Sequence, residues 1–378
     1  MNRGVLLAGM TALALAGLLP GCAKQKAAPA APPPLEKGFV GAQVCAGCHP
    51  DVSAEFQGTG HAHALTAVAG GQKPGSPLFL PDTPPAGYGW KDISYVIGGF
   101  GWRALFVNQG GQLVSVDQAQ YNLANEQFPS ASTSPYNVSG ESFVSSCGRC
   151  HAVGADPASN SIALPGAQCE ACHGPASIHV ANRDTTQITV DNSAEACGRC
   201  HSQSLSQTLV SVAVSTAGAD TLRFLRNNQQ YTELQNSPHA GLKCTDCHDP
   251  HLGVRQGQVG GIVRTCTACH HQVALNHPSN SPTCIDCHMP RVASSARTAN
   301  KYTADVRSHL FRIHVGPESL TAGMYQTAGD STVARSGYGL GLGYVCYTCH
   351  KDASGTGGSD ATLTESQIRT LAPHIHGF

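Results

Sequence analysis

Apolar positions cluster along this chain without settling into long periodic runs. The first cluster is Val5 to Leu19, an unbroken stretch behind Arg3 that closes on Leu19-Pro20-Gly21-Cys22. A charged start, an apolar run too short to span a bilayer and a small-residue exit describe an export peptide over residues 1–21. Residues 22–38 follow, reading AKQKAAPAAPPPLEK from Ala23 to Lys37; this Ala- and Pro-rich stretch offers nothing to a core and predicts an extended tether. Further on, Ile93, Tyr95 and Ile97 alternate with polar residues, Gly98-Gly99 interrupts, and Trp102, Ala104 and Phe106 resume the alternation. Asn108 to Gln112 then lead into Leu113 to Val116, which predicts a β-hairpin around Gly110-Gly111 within a β-rich insertion at about 88–120. Asp220 to Gln235, with Leu222, Leu225 and Leu234 spaced for packing, predicts a helix. The remaining runs are short. The expected fold is mostly irregular, with short α-helices and one small β-hairpin insertion, in a single domain over 39–378.

Composition sharpens the difficulty of building a core. Only 6% of the residues are aromatic and 12% charged, with 42 Gly and 23 Pro among 378 residues. Something other than side chains must fill the interior, and the cysteines say what. Eight times two cysteines three residues apart are followed at once by histidine: Cys45-Cys48-His49, Cys147-Cys150-His151, Cys169-Cys172-His173, Cys197-Cys200-His201, Cys244-Cys247-His248, Cys266-Cys269-His270, Cys284-Cys287-His288 and Cys346-Cys349-His350. This is the attachment signature of a c-type haem: two thiols add to the two vinyl groups of one porphyrin, and the histidine lies under the iron. Paired cysteines also mark zinc sites and disulfides. However, histidine fills 19 of 378 positions, so eight histidines following eight pairs would arise by chance with a probability on the order of 10⁻¹⁰. The sequence therefore predicts eight covalent haem c groups, which form the core themselves and leave the haem-free chain largely unfolded. The predicted hairpin then reads as a structural flap over the first haem.

The motifs use sixteen of the seventeen cysteines. The seventeenth, Cys22, ends a segment that resembles the lipobox of bacterial lipoproteins, with Pro20 departing from the usual small or aliphatic residue. The resemblance implies cleavage before Cys22 and acylation of its thiol, against the plainer reading of a secretory peptide cut nearby. Several acyl chains give stable anchoring where one gives marginal binding. Ala23 after the acylated cysteine, by resemblance to lipoprotein sorting, implies the outer membrane. Export also suits the thiols, which are spent on thioethers outside the cytoplasm.

Spacing organises the chain further. The gaps between successive motifs are 97, 17, 23, 42, 17, 13 and 57 residues, so a dense block from Cys147 to His288 carries an outlying site at each end. With 23 basic against 24 acidic residues and no aromatic platform, nothing points to nucleic acid.

Two protein ligands close a haem iron and one leaves it open to a small molecule. Beyond the motifs eleven histidines remain: His61, His63, His179, His239, His251, His271, His277, His309, His314, His374 and His376. Met1 and Met10 leave with the signal and Met289 adjoins a motif histidine, so Met324 is the one plausible methionine ligand. Supply favours bis-histidine ligation at most or all sites, and hence low potentials. His277, in NHPSNSPTCIDCH, is a candidate on its own context.

CAGCH followed by GHAHA, CEACHGP followed by His179, SPHAGLKCTDCHDPH, CIDCHMPR, and SHLF around His309 together resemble the multihaem cytochromes related to cytochrome c-554. That superfamily includes hydroxylamine oxidoreductase and the pentahaem ammonia-forming nitrite reductases. The resemblance covers Val44 to Arg312 and lies in motif order more than in the intervening sequence. It implies distal-ligand roles for His61, His179, His239, His251 and His309, with His271 and His374 or His376 completing the set. The lysine-ligated Cys-x-x-Cys-Lys site of the nitrite and tetrathionate reductases is missing. No tyrosine among Tyr302, Tyr325, Tyr338, Tyr344 and Tyr347 matches the crosslinked tyrosine of hydroxylamine oxidoreductase, and ordinary packing is their reading.

The sequence thus predicts an electron carrier rather than an enzyme: a lipid-anchored cytochrome whose haems pass electrons by hopping, with no catalytic residue of its own. Its expected partners are other redox proteins, such as periplasmic or outer-membrane cytochromes, a porin-cytochrome complex or a terminal reductase, in anaerobic or extracellular respiration; self-association into a filament is compatible with the terminal haems. The rival is an oxidoreductase acting on a small nitrogen or sulfur compound at one five-coordinate haem. A purely structural lipoprotein would not need eight sites.

Overall fold

A computed structural model of the chain describes residues 36–114, 119–129, 140–202, 208–215, 221–255, 260–271, 273–277, 282–329 and 331–376. The export peptide, Cys22 and most of the tether lie outside the described residues. Among those described, no helix is long and apolar enough to cross a membrane.

The chain is mostly irregular, punctuated by helical turns of three to eight residues and small sheets. The largest early element is an antiparallel sheet in the order Leu65–Ala67, Ile93–Gly98, Arg103–Asn108, Tyr121–Asn122. The alternation read from sequence is real, yet the chain reverses earlier than expected. Ile93–Gly98 and Arg103–Asn108 pair with each other, Val96 opposite Phe106 and Gly98 opposite Ala104. Gly98 and Gly99, at φ 72° and 78°, make that reversal, since a Cβ on Gly98 would sit 2.7 Å from the Arg103 carbonyl oxygen. The turn at Gly110-Gly111 also forms, with Asn108 N–H donating to Gln112 O, and among the described residues it returns the bridge Val107 to Leu113 and the bond from Val114 N–H to Phe106 O.

Both faces of this sheet are buried. Ile97, Leu105, Val107 and Leu113 pack with Phe143, Val144 and Ala152, while Val96, Ala104 and Phe106 pack with Val114 and Tyr121. Phe143, Val144 and Ala152 flank Cys147, so the sheet is the wall of the second motif. Phe100, in the first turn of this hairpin, also stacks on His63, which follows the first motif.

A second correction concerns Asp220 to Gln235. Asp220 lies outside the described residues, Thr221–Arg226 is a strand, and only Gln230–Gln235 is helical. The strand sits inside a four-stranded sheet ordered Val306–Arg307, Arg291–Ser294, Thr221–Arg226, Ser211–Ser215, with Leu225 registered parallel to Ala293. Phe224 and Leu225 are both fully buried, as a strand covered on two faces requires. Asn228, at φ 59°, breaks the chain before the helix. Leu209, Phe224, Leu225, Val292, Ala293, Met324 and Leu340 form the core of this half.

Candidate haem sites

The motifs sit on helical turns, except that His350 of the eighth begins the strand His350–Lys351. Cys169–His173 and Cys284–His288 are short α-helices, Cys45 ends in Ala42–Ala46, and Cys244–Asp246 and Cys266–Ala268 are 3₁₀ turns. Motif histidine N–H groups donate back to the first cysteine carbonyl at 2.9 Å in His49, His201, His248 and His270. One turn places residues i, i+3 and i+4 on one face, so both thiols and the imidazole of a motif point the same way. None of the sixteen motif cysteines is bridged. All eight motifs line one continuous cavity of about 4420 Å³, several times the roughly 300–1,000 Å³ of an ordinary ligand pocket.

Across that cavity the histidines face one another in pairs. Ring centres are 6.0 Å apart for His61 and His201, 6.2 Å for His173 and His251, 6.0 Å for His239 and His270, 6.3 Å for His248 and His309, 6.0 Å for His277 and His350, and 5.8 Å for His288 and His376. Every pair combines one motif histidine with one from elsewhere in the chain. Two metal–nitrogen bonds of about 2.0–2.1 Å with half of each ring added span roughly 6 Å, so the spacing fits an iron between the rings.

The ring nitrogens are arranged for ligation. Nδ1 of His151, His173, His288 and His350 lies 2.8, 2.7, 2.7 and 3.0 Å from the carbonyl oxygens of Ala64, Thr189, Phe311 and Ala361, and Nδ1 of His376 lies 3.1 Å from Ala274 O. A carbonyl only accepts, so Nδ1 carries the proton and Nε2 keeps its lone pair toward the cavity. Burial pushes His61 and His309 down to about 4, with His201 adding to the fall in the first and His248 in the second; neutral imidazole is the form that binds metal. Beside His309, burial lifts Glu233 to about 7 although its carboxylate accepts from the Ser308 hydroxyl and the His309 N–H.

Of the remaining candidates, His179 lies on the cavity wall with Nδ1 3.1 Å from Asp184 O. Its helix, Ser177–Asn182, is stitched to the segment leading into the first motif: Gly38 N–H donates to Ser177 Oγ and Ser177 N–H to Gly38 O. His374 is exposed on the turn Ala372–His374 two residues before the paired His376, and His271 is exposed outside the cavity wall. Nothing in the sequence separates His374 from His376. His63 stacks on Phe100 and meets Gln57 O, and His314 stacks on Tyr338 and meets Glu318. His49 and His151 are the two motif histidines that face no second imidazole in this way among the described residues.

The motifs also neighbour one another in an order that differs from the sequence. The Cys45 thiol lies against Cys169, joining the first and third sites, and Cys172 neighbours Cys197, joining the third and fourth. Cys197 meets Cys244, Cys247 nears Cys269, Cys266 meets Cys284, and Cys287 nears Cys346. The second site attaches beside this series: Cys150 Sγ approaches Cys200 O and Cys200 Sγ approaches Arg149 O, each at 3.9 Å.

A family model described as cytochrome c554 and c-prime matches residues 116–174, which carry the second and third motifs. No curated protein matches the chain. Among solved structures, an octaheme sulfite reductase MccA of Wolinella succinogenes aligns with a TM-score of 0.56 and 15% identity, over 90% of this chain and 68% of that one. An outer cell wall cytochrome OcwA aligns at 0.49 and 18%, over 73% and 80%, and an undecaheme S-layer cytochrome of Carboxydothermus ferrireducens at 0.45 and 18%, over 69% and 52%. The fold is that of multihaem c-type cytochromes, and the motifs are built to hold haem c.

Proposed function

We propose that this multihaem cytochrome relays electrons through eight haem c groups, one on each motif, most of them closed by two histidines. Bound haem supplies one-electron chemistry at iron. The chain's own residues fix the spacing, close the irons and tune them by burial and hydrogen bonds. The observation that carries the reading is the mixed make-up of the six facing histidine pairs. His61, His239, His251, His277, His309 and His376 are the distal ligands it assigns, and His179 closes the first site from the helix stitched to Gly38.

The contacts between motifs support a route that runs first, third, fourth, fifth, sixth, seventh, eighth, with the second site a spur off the fourth. Cys22 carries a lipid anchor, the tether holds the body off the outer membrane, and exchange takes place with other redox proteins of the envelope in anaerobic or extracellular respiration, through the small, short-lived interfaces such partners use.

His151 favours a second reading, because no imidazole among the described residues faces it as the paired rings do. A haem there with one protein ligand would take a small nitrogen or sulfur compound, making the spur a place of chemistry fed by the relay.

Low-temperature EPR with visible spectra of the oxidised, reduced and carbon monoxide-treated holoprotein tests both. Haem quantitation at eight per chain, all low-spin and blind to carbon monoxide, supports the relay alone. One high-spin haem that binds carbon monoxide supports the second reading as well. Several high-spin haems would show that the facing histidines are not ligands and would overturn the proposal.

A further inference from the structure

Three guanidinium groups gather on one stretch of the cavity wall around the turn that joins Ser295 and Asp305. Arg103 Nη1 donates to Ser295 O at 2.7 Å, Arg291 Nη1 to Asp305 O at 2.8 Å, and Arg255 Nη2 to Gly101 O at 2.9 Å. Arg255 lies flat over Trp102 at 3.9 Å, and the indole N–H of Trp102 donates to Asp305 O. All of these residues line the haem cavity.

Asp305 is the one carboxylate within this cluster, and its oxygens accept from the backbone N–H groups of Ser295, Ala296 and Arg297. Neither Arg255 nor Arg291 forms an ion pair among the described residues. Arg255 Nε is buried and has no hydrogen-bond partner. Burial, followed by the charge of Arg291, makes the Arg255 cation harder to keep. Arg255 is partly buried and Arg291 exposed at the cavity wall; neighbouring like charges are stabilised by an anion between them, and the planar fork of arginine fits a two-oxygen anion.

We propose that Arg255 and Arg291, with Arg103 beside them, form a seat for a carboxylate-type oxyanion in the haem cavity, in the first instance a propionate of a resident haem. This rests on the haem reading above. The thioether edge of each haem is fixed at its motif, so the propionate edge must land away from the cysteines, and a cationic cavity wall is where a buried carboxylate is stabilised. The other source of the same chemistry is a free oxyanion admitted to the cavity.

The test compares holoprotein with Arg255→Gln, Arg291→Gln and Arg255→Lys, after haem quantitation confirms full loading; Arg291 is exposed, so its variant serves if Arg255→Gln fails to fold. Redox-difference infrared spectra with ¹³C-labelled propionates read the seat. A propionate occupant predicts that one labelled carboxylate band moves in both Gln variants and returns toward wild type in Arg255→Lys. A free occupant predicts no such movement, with added nitrite shifting the wild-type visible spectrum and losing that effect in the Gln variants. Unmoved bands together with no nitrite effect in wild type would overturn the seat, while haem loading still judges the haem reading separately.

Discussion

The ring of His173 lies 6.2 Å from the ring of His251 with the two planes 5° apart. His288 and His376 are similarly near parallel at 18°, whereas His61 and His201 cross at 74° and His239 and His270 at 67°. The angle between two axial imidazoles sets how far the iron d orbitals that they overlap are split in energy. Parallel rings give an ordinary rhombic low-spin ferric signal, and crossed rings give a strongly anisotropic one with a large highest g value. The oxidised holoprotein should therefore show both classes together in EPR, with at least two haems in each. A single rhombic class accounting for all the spin would contradict the pairing geometry.

His61 gives a direct test of one assignment, since it faces His201 at the branch between the relay and the second site. Its ring also hydrogen-bonds the Pro250 backbone. His61→Ala should create one additional carbon monoxide-binding haem relative to wild type. His61→Met should keep that haem closed and raise its potential, because methionine–histidine ligation lies above bis-histidine. Visible titration with carbon monoxide and potentiometry read both outcomes; wild-type behaviour from His61→Ala would remove His61 from the ligand set.

How much of this was legible beforehand follows from where the information sits. The motif is local, five consecutive residues, so all eight motifs could be read from spacing. The facing histidines come together only through tertiary packing, from 31 residues apart for His239 and His270 to 140 for His61 and His201, and single-sequence reading reaches most of them through resemblance. His376 is indistinguishable from His374 in the sequence because the two stand two residues apart in one short tail. Thr221–Arg226 was misread as helical because Leu222 and Leu225 are three apart, a spacing that also occurs when a strand is buried on both faces. The arginine seat left no sequence signal, since Arg103, Arg255 and Arg291 come from three unrelated segments.

Glu170 is the next residue to test. It sits inside the third motif, is 3% exposed, and its carboxylate accepts from the N–H groups of Val40 at 3.0 Å, Gly41 at 2.8 Å and Ala176 at 2.9 Å. It thereby ties the approach to the first motif and the approach to His179 onto one buried group. Glu170→Ala leaves those donors without their acceptor, at a cost of roughly 3 kcal/mol. Glu170→Gln keeps one acceptor oxygen and should lose less. Thermal unfolding of the holoprotein measures the order; Glu170→Ala indistinguishable from wild type would show that the tie contributes nothing.

The side-chain cores form four modest clusters around a cavity of about 4420 Å³, so much of the interior is left for the haems to fill. Chain produced without covalent haem should then lack a cooperative thermal transition, because the apolar area that would be buried against porphyrin stays in water. The exception is the sheet around Ile93–Gly98 and Arg103–Asn108, whose two faces are covered by protein: Phe143 and Val144 on one side, Tyr121 and Val114 on the other. Hydrogen exchange of the haem-free chain should show residual protection in those two strands and little elsewhere, in particular none at the turns that carry Cys244 and Cys266. Protection spread evenly over the chain would mean that the polypeptide builds its own core, and that the haems are passengers in it.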